Sequence, residues 1–245
     1  MIATLSYMGI NRKVDFSNPI DISRAITNGG TRAWGVGEPG FIPVQRGDWV
    51  GEVKKGASVN FRDVVFNPHA HGTHTECVGH ISKEDYSVNQ CLKQFMFFAK
   101  LITVLPRNNN GDKVIDRDSI AGSLIDNKCE ALIIRTSRET NEAEDYSNTN
   151  PPFIQQDAIT IMLEKGIQHL LIDTPSVDKE SDGGLLLAHR AFWEYPLNTK
   201  KFRTITELVQ VSDKIKDGDY LLNLQVAAFE NDASPSRPVL YELMN

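Results

Sequence analysis

The sequence predicts an α/β fold, and two observations predict it. Short runs of Ile, Leu, Val and Phe recur through residues 95–229, bounded by glycine, proline or polar residues, as the strands of a buried sheet are. Between the runs lie stretches with helical start and stop signals. Strand and helix therefore alternate, and some strands pair in parallel.

Residues 1–66 lack that alternation and read as short strands and turns. Asp21-Ile22-Ser23 leads into the turn Asn28-Gly29-Gly30-Thr31, and Gly35, Gly37 and Pro39-Gly40 prolong the loop. Trp34 stands inside it, as an anchor packed on the core or as the wall of a substrate pocket. Residues 49–66 suggest hairpins, with Lys54-Lys55-Gly56 as one turn. Residues 95–105 form a strongly apolar strand. Asp116 to Asn127 reads as a helix and Ala131 to Arg135 as a buried strand. Phe153 to Lys165 reads as a helix after Pro151-Pro152, stopped by Gly166, and His169 to Asp173 as the next strand. Gly183 to Glu194 reads as a helix containing His189, and Tyr220 to Phe229 as a last strand. Ser137 to Pro152 is a long polar loop, either a lid or a solvated insertion. No domain boundary stands out, so residues 1–245 are read as a single domain.

Composition excludes some classes. Net charge is -6, and no Lys/Arg run exceeds two residues, so no nucleic-acid footprint is expected. No apolar run reaches eighteen residues, so no membrane span is expected. The N-terminus lacks the pattern of a secretory signal. Cys77, Cys91 and Cys129 are odd in number and widely spaced, which argues against a disulfide framework and fits a cytoplasmic protein.

The chemistry concentrates in Asn67-Pro68-His69-Ala70-His71-Gly72-Thr73-His74-Thr75-Glu76-Cys77-Val78-Gly79-His80. Four of the six histidines lie here, with a carboxylate and a thiol among them. Imidazole and carboxylate are ligands for a divalent ion, zinc first and manganese close behind. On a regular strand His69 and His71 would face away from His74, Glu76 and His80. A bulge at Gly72-Thr73, with Gly72 left-handed, would bring the two sets together. His69 and His71 compete for one ligand position, and His71 is slightly favoured.

His69-x-His71-x-x-His74 matches the histidines of the metallo-β-lactamase signature. Thr73, however, stands where that signature has its metal-binding aspartate. The stretch more closely resembles the cyclase family of metal-dependent hydrolases, which includes kynurenine formamidase and isatin hydrolase. That signature reads His-x-Gly-Thr-His-x-Asp-x-Pro-x-His. Gly72-Thr73-His74 keeps its core, Glu76 replaces the aspartate, Val78 replaces the proline, and His80 keeps the last histidine. Ala70 occupies the register of the first histidine. Asp21-Ile22-Ser23, Ile172-Asp173-Thr174-Pro175-Ser176-Val177-Asp178, Ala188-His189-Arg190, Glu207-Leu208 and Ser234-Pro235-Ser236-Arg237 extend the resemblance over nearly the whole chain.

The resemblance implies an α/β fold with a mixed, barrel-like central sheet and peripheral helices. It implies a hydrolase that cleaves the C–N bond of an N-formyl or cyclic amide with metal-activated water. One or two zinc or manganese ions are implied, with His189 and Glu207 as further ligands and His80 as the catalytic acid–base group. A small-molecule substrate and a homodimer or homotetramer are implied as partners. Asp173 either orients a ligand histidine or caps its own turn. Two other readings stand: a metallo-β-lactamase-like ester or thioester hydrolase, and a non-catalytic metal-binding protein on the same scaffold.

Overall fold

The apolar runs become the middle of one large mixed sheet. A computed structural model describes residues 1–7, 9–126, 128–136 and 145–244. The first strands are β1 Ile2–Tyr7, β2 Ile10–Asp15, β3 Ile20–Asp21, β4 Gly40–Pro43, β5 Gln45–Arg46, β6 Trp49–Val50, β7 Arg62–Val65 and β8 His74–Glu76. Helix α1 Val88–Cys91 precedes β9 Met96–Thr103, β10 Arg107–Asn109 and β11 Asp112–Ile115. Then come α2 Arg117–Ala121, β12 Ala131–Arg135, β13 Phe153–Ile154, α3 Gln156–Glu164, β14 His169–Ile172 and α4 Leu187–Trp193. The chain ends with β15 Thr204–Glu207, β16 Gly218–Asn223, β17 Ala233–Pro235 and β18 Val239–Met244.

The main sheet runs β1-β2-β18-β16-β9-β12-β14-β15-β8-β17, with β3 beside β18. The pairs β9–β12, β12–β14 and β14–β15 are parallel, and the other pairs in this path are antiparallel. The parallel pairs are those whose crossovers carry α2, α3 and α4, as the alternation predicts. The path ends at β1 and β17, which do not pair among the described residues, so the sheet is open and no closed barrel forms.

Strand β12 shows why the centre reads as unbroken apolar sequence. Leu132 and Ile134 pack with Ile159, Met162 and Phe192 on the helical face. Ala131 and Ile133 pack with Phe97, Leu101 and Leu222 on the other. Both faces are buried, so positions 131–134 are all apolar, and Arg135 at the end of the strand is buried with its guanidinium bonded to Thr103 and Asp217. Each such Leu or Ile contributes roughly 1.5–3 kcal/mol.

Several boundaries differ from the sequence-based reading. The helix expected over 116–127 is only α2 plus a 3-10 turn at Gly122–Leu124. Asp116 caps it, its Oδ1 accepting the Ser119 N–H at 2.8 Å. Helix α3 starts at Gln156 because Phe153 and Ile154 pair in parallel with Val114 and Ile115. Helix α4 starts only at Leu187, since Gly183 and Gly184 take φ of 68° and 79°. Strand β16 stops at Asn223. Strand β15 is not predicted; three of the four residues in its Thr-Ile-Thr-Glu are polar, yet it is wholly buried. The lid or insertion reading falls largely on residues 137–144, outside the described residues. Its described end packs down: Asp145 pairs with Arg32 at 2.8 Å, and the Asn148 and Asn150 N–H groups donate to Glu180.

Candidate metal centre

A turn set by Asn67 separates the first two histidines. The Asn67 side chain accepts the His69 N–H at 2.9 Å, and its carbonyl accepts the N–H groups of Ala70 and His71. Residues 67–71 therefore turn instead of extending. His71 is spent on this turn. Its Nδ1 accepts the Asn67 N–H at 2.9 Å, and its Nε2 donates to the Gly37 carbonyl at 2.7 Å. A backbone N–H can only donate, so the proton of the neutral ring sits on Nε2 and neither nitrogen is left for an ion. The preference for His71 over His69 is thereby reversed. Gly72 is left-handed as expected, with φ of 71°, but it closes this turn instead of bulging a strand. A Cβ there would lie 2.9 Å from the Arg24 carbonyl. Thr73 Oγ1 accepts the Arg24 N–H and donates to the Leu208 carbonyl. Gly-Thr is thus a packing device that seats the following strand.

On β8, His74 and Glu76 share a face, while Thr75 points away to Thr206 at 2.7 Å. The β15 register sets Glu207 opposite His74, which brings Glu207 Oε2 to 3.3 Å from His74 Nε2. Glu207 Oε1 accepts the Val177 N–H. The β17 register sets Ala233 opposite Glu76, so Asp232 arrives beside the cluster. Its Oδ2 lies 2.8 Å from His69 Nε2 and 3.3 Å from His80 Nδ1.

His80 is returned to the site by the 3-10 turn Val78–His80. Only glycine fits at 79, where a Cβ would meet the Tyr86 carbonyl at 2.1 Å. The His69 and His80 rings then stack at 4.3 Å. His189 arrives on α4, whose first turn is held by Asp178. That carboxylate accepts the N–H groups of Ala188 and His189 and lies 2.6 Å from His189 Nδ1. His189 Nε2 is left facing Glu76 Oε1 at 3.0 Å.

His74, Glu76, His189 and Glu207 are all buried. Burial disfavours charge, yet the neighbours override it. For Glu76, burial favours the neutral acid, but His80, His189 and His69 hold its carboxyl well below the usual range. For His189, burial opposes protonation, but Asp178, Glu76 and Glu207 push its pKa well up. For His69, burial also pulls down, and Asp232 and Glu76 raise the pKa to about 10.

The donor set fits a divalent ion. His69, His74 and Glu76 offer ligand atoms within 4.8 Å of one another, as do Glu76, His80 and His189. Buried His74 Nε2 and Glu76 Oε2 have no hydrogen-bond partner. Glu76 Oε2 lies 3.1 Å from His69 Nδ1, and His74 Nε2 lies 3.3 Å from Glu207 Oε2, but neither pair has hydrogen-bonding geometry. Unpaired buried polar atoms cost about 1–3 kcal/mol each, and a bound cation would satisfy both.

Six of the residues singled out in the sequence converge: His69, His74, Glu76, His80, His189 and Glu207. Trp34 lies beside the cluster. Its Nε1 donates to the His69 carbonyl at 3.1 Å, and it lines a pocket of about 280 Å³ with His69, His80, His189 and Glu207. His169 lies elsewhere, at the start of β14. Asp173 accepts the N–H and hydroxyl of Thr136. The orienting carboxylate is Asp178, in the same motif. Asp232 had no local signal, being 163 residues from His69.

The Cyclase family model matches residues 20–179. Kynurenine formamidase from Bacillus thuringiensis (strain Al Hakam) is 30% identical over 226 residues, covering 90% of this chain and 96% of that protein. The kynurenine formamidase of Bacillus anthracis is 28% identical over 225 residues, with the same coverage. Among solved structures, an isatin hydrolase bound to the product analogue thioisatinate superposes with a TM-score of 0.67 at 15% identity, covering 92% of each chain. A predicted metal-dependent hydrolase from Bacillus stearothermophilus gives 0.65 at 17%, covering 91% of this chain and 98% of that one.

Proposed function

The chain belongs to the Cyclase family, and we propose that its buried His/carboxylate cluster hydrolyses a C–N amide bond in a small N-formyl or cyclic amide. The buried His74 Nε2 and Glu76 Oε2, each without a hydrogen-bond partner, carry this reading. His69, His74 and Glu76 would hold a divalent ion, zinc or manganese, and His189 and Glu207 extend the donor set toward a second. Such an ion supplies Lewis acidity, polarising a carbonyl and lowering the pKa of a water to about 7.

The chain's own residues do the rest. Glu76 and Glu207 provide the negative charge that retains a cation in a buried site. Asp178 fixes the His189 ring so that Nε2 faces inward. His80 is less buried than the ligands, and its Nε2 lies 3.9 Å from Glu76 Oε2, at the mouth of the cluster. In this reading it accepts a proton from the attacking water and returns it to the leaving nitrogen. Trp34 offers a flat apolar wall at the pocket mouth. The ester or thioester alternative needs an aspartate where Thr73 stands, and the Thr73 hydroxyl is already committed to Arg24 and Leu208. A homodimer or homotetramer is supported by the β4–β7 ribbon, where Ile42, Val64 and Val65 are more than half exposed; light scattering tests this.

The deciding experiment compares wild type and His80→Ala on N-formyl aromatic amides and small cyclic amides, with zinc or manganese restored to stripped protein. The wild type should turn over at least one class. His80→Ala should keep its metal and melting temperature while its rate falls roughly 10²–10⁴-fold. A stable, metal-loaded and fully active variant would remove His80 from the mechanism. Absence of turnover in loaded wild type on every amide would remove the activity.

A further inference from the structure

We infer that Asp232 is a positioning residue that gives His69 and His80 their separate roles through a single carboxylate oxygen. The inference rests on the cluster being a metal site. Asp232 Oδ2 lies 2.8 Å from His69 Nε2 and 3.3 Å from His80 Nδ1. A carboxylate at neutral pH only accepts, so each ring directs an N–H toward it. Once a metal ion takes the place of the His69 proton that faces Glu76, the remaining proton stays on Nε2 and the lone pair of His69 lies on Nδ1; in a neutral His80 it lies on Nε2. Those are the atoms that face Glu76, at 3.1 and 3.9 Å. His69 thus becomes an Nδ1 ligand, while His80 keeps a free Nε2 for proton transfer.

The need for such a device comes from the register. The family's first histidine falls at Ala70, which is wholly buried, and His69 stands one residue earlier on the Asn67 turn. From there the ring reaches the cluster edge-on to His74, with centroids 5.3 Å apart, and needs an outer partner to fix which nitrogen points inward. Asp232 is itself fixed by the backbone. The Cys77 N–H donates to its carbonyl at 3.0 Å, the Val88 N–H donates to that of Asn231 at 2.8 Å, and Ala233 pairs with Glu76. Because the two rings stack, one displaced carboxylate releases both.

The test reads zinc binding, without substrate, by chelator competition on stripped Asp232→Ala, Asp232→Asn and Asn231→Ala. Turnover is measured separately. Asn231 shapes the same loop, its Nδ2 donating to the Ala233 carbonyl, but bonds neither ring. Zinc affinity should fall roughly 10–100-fold in Asp232→Ala, less in Asp232→Asn, which keeps one acceptor, and should hold in Asn231→Ala. In zinc-loaded wild type, imidazole ¹⁵N correlation spectra should show His69 protonated on Nε2. Wild-type affinity in Asp232→Ala, equal losses in Asn231→Ala, or a His69 bound through Nε2 would each overturn the assignment. Asp232-dependent zinc binding in a protein that hydrolyses no amide would leave the positioning role of Asp232 toward His69 intact and refute only the activity.

Discussion

Two buried histidines, His169 and His189, are almost equally hidden, 5% and 2% exposed, and behave in opposite ways. His169 opens β14. Among the described residues its Nδ1 meets only the Thr204 hydroxyl, at 2.9 Å, and Phe97 packs with its ring centroid 4.0 Å away. Nothing there offsets desolvation, so burial pushes its pKa down to about 4. His189 sits where the β8, β15 and β14–α4 segments meet, among Asp178, Glu76 and Glu207, and its pKa is driven well up. Burial alone makes an imidazole neutral and inert. Carboxylates around it make a place for a cation, whether proton or metal ion. The functional end of the sheet is therefore the end where the strands deliver acids as well as histidines.

The largest effect should follow from removing the acid that the histidines share. Glu76 belongs to both ligand groups described above and is fully buried. Glu76→Gln keeps the shape and removes the charge. Bound metal, by elemental analysis, should fall well below wild type, and turnover should fall about 10³-fold or more, since the ion supplies several kcal/mol of the catalysis. Retained metal with retained rate would mean that the carboxylate is only structural.

His69 and His71 make a smaller, sharper version of the same contrast. His71→Ala should lower stability by about 1–3 kcal/mol, because the Asn67 N–H and the Gly37 carbonyl lose their partner, while metal stoichiometry stays at the wild-type value. His69→Ala should do the reverse. Denaturant melts and metal content on the same preparations decide it. Equal metal loss in both variants would reinstate His71 as a ligand.

This pair also shows how far the sequence reached. The clustered histidines and Glu76 were legible because ligand chemistry requires those residue types. The strands of the sheet centre were legible because both faces are buried. What pure alternation could not reveal was the Asn67 turn, which decides between two histidines two residues apart through side-chain-to-backbone bonds. Strand β15 was hidden because its threonines are satisfied across strands, Thr206 by Thr75 and Thr204 by His169. Asp178 and Asp173 sit in one motif, and only the α4 N-terminus distinguishes them. Asp232 acts through strand pairing across the length of the chain, for which local sequence holds no sign.

The smallest effect concerns the inert end of the sheet, and its sign is fixed by linkage. His169 has a folded pKa of about 4 against an unfolded value of roughly 6.5. The unfolded chain therefore binds more protons at this site between those values. Its stability contribution is complete above about pH 6.5 and drains away as pH falls toward 4. At pH 5 the loss is about 2 kcal/mol relative to pH 7.5. His169→Gln can still bond Thr204 but cannot titrate. Its cost at neutral pH is immaterial; the measured quantity is the change in unfolding free energy from pH 7.5 to 5. Acidic groups elsewhere titrate equally in both proteins and cancel in the difference. Wild type should lose about 2 kcal/mol more than the variant over this interval. Parallel pH profiles would mean that the cavity around Phe97 and Thr204 admits enough water to solvate the imidazolium, and burial at this end would then no longer separate it from the metal centre.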